Sequence, residues 1–291
     1  MGHTNLEKII SRIGDLPTMP ETAAEVIRLT GDPEVDISEV GEVIQRDAAL
    51  AAEILKVSNS AFYGMRQVVG TIKLALVILG VWEVRNVVLA VSVIDAFGDK
   101  DKLRELTRDG FWEHSFRVGA LAKRLGSHLE LSFQGEDFVA GLLHDIGKLL
   151  LLNQLDEEYR SIYNASMQGE EDLPTLERNA LGFDHADAGA ALVRCWDMPD
   201  ALADALAFHH ARDDQALADA KDPKLAALVR VANLAAHDDW TPEAEAMPLS
   251  CTDEEAWALL LEFRNPLDNN GRRELLNGFC QEVVGMAPMA I

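Results

Sequence analysis

Apolar residues recur along this chain every three to four positions, the spacing of one helical face, while alternating β-branched runs bounded by turns are scarce. The stretch Glu21–Thr30 carries Ala24 and Ile27 on one side, has Pro20 suited to its first turn, and stops at Gly31-Asp32-Pro33. Asp36–Arg46 places Ile37, Val40, Val43 and Ile44 on one face, and Asp47 is a natural N-cap for Ala48–Ser58. Ser60–Gly70 reads as a loop with Gly64 and Gly70 as breakers. It is either an exposed recognition loop or a turn that Asn59 and Ser60 cap while Phe62 and Tyr63 anchor it. Thr71 caps Ile72–Leu79, and Gly80 separates it from Val81–Ala96. Both of these helices are apolar nearly all round, which predicts a buried central position and extensive packing between the two halves of the chain.

The charged run Asp99–Asp109 is a candidate boundary. Beyond it, helices are expected near Phe111–Leu125, Gln134–Leu152, Asp156–Met167, Leu173–Ala180, Asp184–Trp196, Pro199–His209 and Lys221–His237. A linker, Asp238–Ser250, precedes two more near Thr252–Phe263 and Gly271–Val284. The expected architecture is all-α. An N-terminal helical bundle (residues 1–110) packs against a second helical bundle (111–240), and a helical extension (241–291) follows.

Composition narrows the function classes. The net charge is −23, split as −5 over residues 1–110 and −18 over 111–291, and such a surface repels a phosphate backbone, so nucleic acid is not the expected partner. Three widely spaced cysteines, Cys195, Cys251 and Cys280, argue against a disulfide framework and for a reducing cytoplasm. The N-terminus has no apolar run of signal-peptide type, and Val87–Ile94 is too short to span a bilayer, so no membrane association is expected.

The candidate chemistry lies in histidine and aspartate. His144 and Asp145 stand side by side in FVAGLLHDIGKLLLL, a stretch apolar enough to be buried, where a carboxylate must be paired, hydrogen-bonded or metal-bound. His114, His185, His209 and His210 fall on other predicted helices, so six residues from several helices are expected to meet around an ion. Imidazole and carboxylate suit one divalent transition metal, iron, manganese or zinc, better than magnesium, with an empty site as the alternative. Adjacent helical residues point about 100° apart, so His144 and Asp145 share a metal only with local adjustment, or bridge two. Gly147 breaks this helix, and Lys148 beyond it is positioned to contact a phosphate or to serve as a solvated helix-end residue. His128 and His237 read as surface residues, and His3 as part of a frayed terminus.

The order His114, His144-Asp145, His185, His209-His210 resembles the HD-domain superfamily of metal-dependent phosphohydrolases. Leu16-Pro17-Thr18-Met19-Pro20, Ile44–Leu50, Lys56–Gly64, Thr71–Ala75 and Leu79-Gly80 resemble the HDOD branch, the HD-related output domains of bacterial signalling, over about residues 10–240. The resemblance implies an HD-type bundle in residues 111–240. It also implies a cytoplasmic signalling module that binds protein partners and is generally without hydrolase activity, so no catalytic residue is assigned. HDOD domains are often fused to other signalling modules, and the chain's length points to a stand-alone form. The pattern departs from its relatives at three places. Asn233 stands where the superfamily's final Asp is expected, Ala211-Arg212-Asp213-Asp214 replaces a GYP segment after His209-His210, and Gly110 takes the place of a Glu one turn before His114. With Asp145 as the one carboxylate, a dinuclear hydrolytic site is compromised, and a single metal on His114, His144, Asp145 and His185 is the simplest arrangement. The alternatives are a phosphohydrolase acting on a nucleotide or cyclic dinucleotide, and a nucleotide or metal sensor without turnover.

Overall fold

The structure is a computed structural model that describes residues 17–32, 34–60, 67–97, 110–133, 135–169, 171–211, 215–237 and 247–284. Among these the chain is built of helices and forms no extended sheet, as the apolar period predicts. The candidate boundary at 99–109 lies outside the described residues.

Helices α1 (Glu21–Thr30), α3 (Ala48–Ser58) and α4 (Ile72–Leu79) pack on α5 (Val81–Ala96), and α2 (Ile37–Arg46) packs on α1, α3 and α4. Their starts follow from local chemistry. Asp36 accepts from Ser38 N, Asp47 from Ala49 N and Leu50 N, and Thr71 from Leu74 N, each satisfying a first-turn donor. Asn59 closes the following loop by bonding Val69 in both directions, at 2.9 and 2.8 Å; residues 61–66, with Phe62 and Tyr63, lie outside the described residues.

The expectation that α4 and α5 are both buried holds for α5 alone. Val84, Val87, Val88, Leu89 and Val91 of α5 are at most 2% exposed. In α4, Ile72, Ala75 and Leu76 face the core, but Leu74, Val77 and Ile78 are 38%, 70% and 44% exposed. These three share one face by their i, i+3, i+4 spacing, and an octapeptide apolar on every side has more apolar surface than one packing face can cover. No helix among the described residues is long and apolar enough to cross a membrane, and α4 and α5 meet at a bend of 119°.

The remaining helices are α6 (Phe111–His128), α7 (Glu136–Leu143), α8 (Ile146–Leu155), α9 (Glu157–Met167), α10 (Leu173–Leu181), α11 (His185–Cys195), α12 (Asp200–Ala207) and α13 (Pro223–His237). Helix α6 packs on α7 and α13, α8 on α11, and α12 on both α11 and α13, while α5 reaches across to α7. The predicted helix Gln134–Leu152 is in fact two, and the break falls on His144-Asp145 rather than at Gly147. Gly147 lies inside α8 for a different reason: a Cβ there would sit 1.9 Å from the His185 carbonyl oxygen, so α8 and α11 touch backbone to backbone.

The C-terminal helices α14 (Leu249–Thr252), α15 (Glu254–Leu260) and α16 (Asn269–Val284) dock on α13 and α6, burying Cys251, Trp257 and Leu260 completely. The expected single helix Thr252–Phe263 is interrupted at Asp253, whose side chain caps α15 through Ala256 N, and helix already begins within the expected linker, at Leu249. Arg230 of α13, 1% exposed, ties this extension to the body. Its Nε donates to the Phe208 carbonyl at 3.0 Å and its Nη1 to Glu255 at 3.0 Å.

Gly147→Ala is expected to cost about 3 kcal/mol or more, because backbone on both sides must part. Gly278→Ala, on an exposed helical face with nothing within 4 Å of the new methyl, is expected to gain about 0.5–1 kcal/mol. Urea unfolding of the two variants checks both signs.

Candidate metal centre

The break at the dyad makes the centre. Helix α7 stops at Leu143, His144 and Asp145 form the corner, and Asp145 becomes the N-cap of α8, which turns the imidazole and the carboxylate toward one point. On α6, His114 occupies the first turn. His185 opens α11 behind a capping box in which Asp184 and Asp187 bond each other's backbone N–H, while Arg178 of α10 pairs with Asp184. The His209-His210 pair follows the end of α12, and Asn233 lies on α13.

All six predicted ligands converge. Asp145 Oδ2 is 3.4 Å from His144 Nε2 and 3.9 Å from His114 Nε2, whereas Oδ1 is 3.2 Å from His185 Nε2 and 3.6 Å from His209 Nε2. His210 Nε2 is 2.9 Å from His185 Nε2. The ligand atoms therefore form two groups that share the carboxylate, His114–His144–Asp145 and Asp145–His185–His209–His210. The set expected to hold a single ion, His114, His144, Asp145 and His185, is split, because His185 enters from the far side of the carboxylate. Asn233 Oδ1 is 3.1 Å from His114 Nε2, in the first group. Lys148 Nζ is 2.6 Å from Asp145 Oδ2, with its side chain 17% exposed. The residues of the site all come from positions 114–233.

The ring nitrogens turned away from the centre are anchored. His144 Nδ1 donates to the Gly141 carbonyl at 2.7 Å and His209 Nδ1 to the Leu206 carbonyl at 2.6 Å, which turns Nε2 of each ring inward, where it offers a metal its lone pair once unprotonated. His185 Nδ1 donates to Glu177 at 2.6 Å, and the same carboxylate accepts from His185 N at 2.8 Å and from Tyr159 OH at 2.6 Å. Glu177 and Tyr159 are fully buried, and the motif pattern of the sequence singles out neither. The available signal is register: Glu177 stands four residues from both Leu173 and Leu181, a face otherwise apolar.

Protonation follows this wiring. Burial drives His209 down to about 3, and burial with His144 alongside drives His114 to about 2. Burial also takes His210 well below its usual value. His185 goes the other way: burial opposes its charge, but Glu177 outweighs it, with Asp145 adding, and its pKa rises to about 9. Burial works against the Asp145 carboxylate too, yet His144 and Lys148 hold it well below the usual range.

The donor set fits a transition metal. Asp145 Oδ1 and His209 Nε2 are buried and face each other at 3.6 Å without forming a hydrogen bond, and His185 Nε2 lies 3.2 Å from the same oxygen, an arrangement that a cation shared by all three would satisfy. His237 is exposed as expected, although its ring stacks on His114 at 4.3 Å, and His128 meets Phe279 at 5.6 Å. His3 lies outside the described residues.

Two outcomes follow. Below about pH 9 a proton occupies the His185 nitrogen that a metal needs, so Zn2+ affinity should rise with pH and level off above about 9. The expected slope is about one logarithmic unit per pH unit. Calorimetric titration from pH 6.5 upward checks it, and a flat profile contradicts it. Glu177→Ala strands Tyr159 and His185 in the interior and should cost about 3–5 kcal/mol in urea unfolding, with Glu177→Gln intermediate.

The sequence profile of the HDOD domain matches residues 16–212 of this chain. An uncharacterized protein of Treponema pallidum (strain Nichols) is 27% identical over 208 residues, covering 69% of this chain and 39% of that protein, so the chain spans about two fifths of that relative's length. Among solved structures, a candidate phosphohydrolase from Shewanella amazonensis SB2B is 25% identical at a TM-score of 0.70, covering 97% of this chain and 95% of its own. An HDOD domain protein of unknown function from Geobacter sulfurreducens has a TM-score of 0.78 at 21% identity, covering 96% and 95%; at that identity the likeness is one of fold.

Proposed function

This chain belongs to the HDOD family, and from that premise we propose that it is a bacterial cytoplasmic signalling module that acts by binding protein partners. Its HD-type centre holds one divalent transition metal and does not turn over phosphoesters. The observation that carries this reading is the charge of the centre. A two-metal hydrolase clamps its ions between bridging anions. Here one carboxylate, Asp145, stands between the two ligand groups, and the Lys148 ammonium lies against one of its oxygens at 2.6 Å. Asn233 supplies a neutral oxygen beside His114. The side chains of His144, Asp145, His185 and His209 are at most 3% exposed, which suits a structural ion better than one that must meet a phosphoester. A bound ion there supplies Lewis acidity and a cross-link between the dyad corner, α11 and the end of α12.

Contact with a protein is supported elsewhere on the molecule. The Leu74–Val77–Ile78 stripe of α4 is apolar and turned to solvent, with Val68 at 81% and Ile37 of the adjoining α2 at 46% exposure. The acidic surface supports a protein over a nucleic acid.

Protein loaded with Fe2+, Mn2+ or Zn2+ and offered nucleotides, cyclic dinucleotides and bis-p-nitrophenyl phosphate is expected to show no turnover above the metal blank. A metal-dependent rate that disappears in Asp145→Ala overturns this reading in favour of a phosphohydrolase.

A further inference from the structure

We propose that the Lys148 ammonium is a built-in cation that fills the second metal position, so that the centre accepts a single divalent ion on the Oδ1 face of Asp145, with His185, His209 and His210. The inference deepens the metal-binding reading given above and rests on it.

The two faces of the carboxylate differ in every respect that matters to a cation. At Oδ2 the Lys148 Nζ already lies at 2.6 Å, one turn along α8 from the residue it neutralises. The other groups there are the imidazoles of His144 and His114 and the amide oxygen of Asn233, all without negative charge in their neutral forms. A dication arriving at Oδ2 meets a like charge at contact distance and finds no second anion to offset it.

At Oδ1 the nearest group is the His185 ring, its Nε2 3.2 Å away, which gives up its proton to a metal and becomes a ligand. The oxygen is buried and has no hydrogen-bond partner, and the same holds for His209 Nε2 opposite it. Behind His185 stands a second carboxylate, Glu177, bonded to Nδ1 at 2.6 Å and itself completely buried. A dication bound here is balanced by Asp145 directly and by Glu177 through the imidazole, an outer-shell carboxylate that orients the ring and raises its basicity. Lys148 has thus exchanged a role toward an outside ligand for one toward its own chain. Its side chain, 17% exposed, enters from the solvent-reaching side of the centre, where the 18%-exposed His114 also lies.

The test is metal stoichiometry of the full chain, stripped with chelator, reloaded with Zn2+ and measured by elemental analysis after gel filtration. Wild type is expected to hold one equivalent, Lys148→Met two, and Lys148→Arg, which keeps the charge, one. Position is tested independently of Lys148: His209→Ala should weaken zinc binding at least tenfold, and His114→Ala less than twofold. One equivalent in Lys148→Met as in wild type overturns the built-in cation while leaving the single-metal reading intact, and two equivalents in wild type overturn it as well. Should Lys148→Met fail to fold, loss of zinc from His114→Ala equal to that from His209→Ala overturns the placement. Wild type that takes up no zinc overturns the metal reading itself, and this inference with it.

Discussion

A carboxylate buried to 2% exposure is the constraint on which this molecule turns. An uncompensated charge in the interior costs far more than a protein's net stability, and removing one partner of a buried pair typically costs about 3–5 kcal/mol. Asp145 must therefore be met from all sides, and the fold supplies partners from four directions: the α7–α8 corner, the first turn of α6, the start of α11 and the end of α12. Each of those elements has its terminus at the centre, where side chains diverge from the helical register and become available. The backbone contact at Gly147, the capping box at Asp184 and the Leu206 carbonyl that holds His209 all serve to place those termini.

Much of this is legible in the sequence. The dyad and the four further histidines stand out because imidazole and carboxylate in apolar surroundings need a physical reason, and the helices that carry them follow from apolar spacing. What stays hidden depends on contacts between segments. The corner at His144 is invisible in a run where α7 and α8 are equally apolar. Glu177 belongs to a residue type that ordinarily faces water, and its partners Tyr159 and His185 lie 18 and 8 residues away. Lys148 stands beside the centre as its position suggests, and its bond to Asp145 is hidden in the sequence because it exists only once the corner has formed. The apolar surplus of α4 suggests burial because sequence records how much apolar surface a helix carries and not how much its neighbours can cover.

The two ends of the molecule consequently differ in character. Around Asp145 the interior is polar, with hydrogen bonds that fix ring orientation. Along α4 the surface is wet and apolar, with three side chains that the described residues leave turned to solvent. Between them runs α5, almost wholly buried where described, packed on α1, α3 and α4 and on α7. The Glu83–Lys123 pair at 2.7 Å adds a charged link between α5 and α6.

Arg230 ties the last helices to a part of the molecule that the family profile does not reach. The family profile ends at residue 212, yet this guanidinium lies beyond it, on α13, holding the carbonyl just before His209 with one nitrogen and Glu255 of α15 with another. Lifting α15 away leaves a buried cation short of its counter-charge next to the His209 segment, so opening of the tail and loosening of that segment are energetically coupled. The docking of the tail and the order of the histidine centre are thus tied through one buried guanidinium.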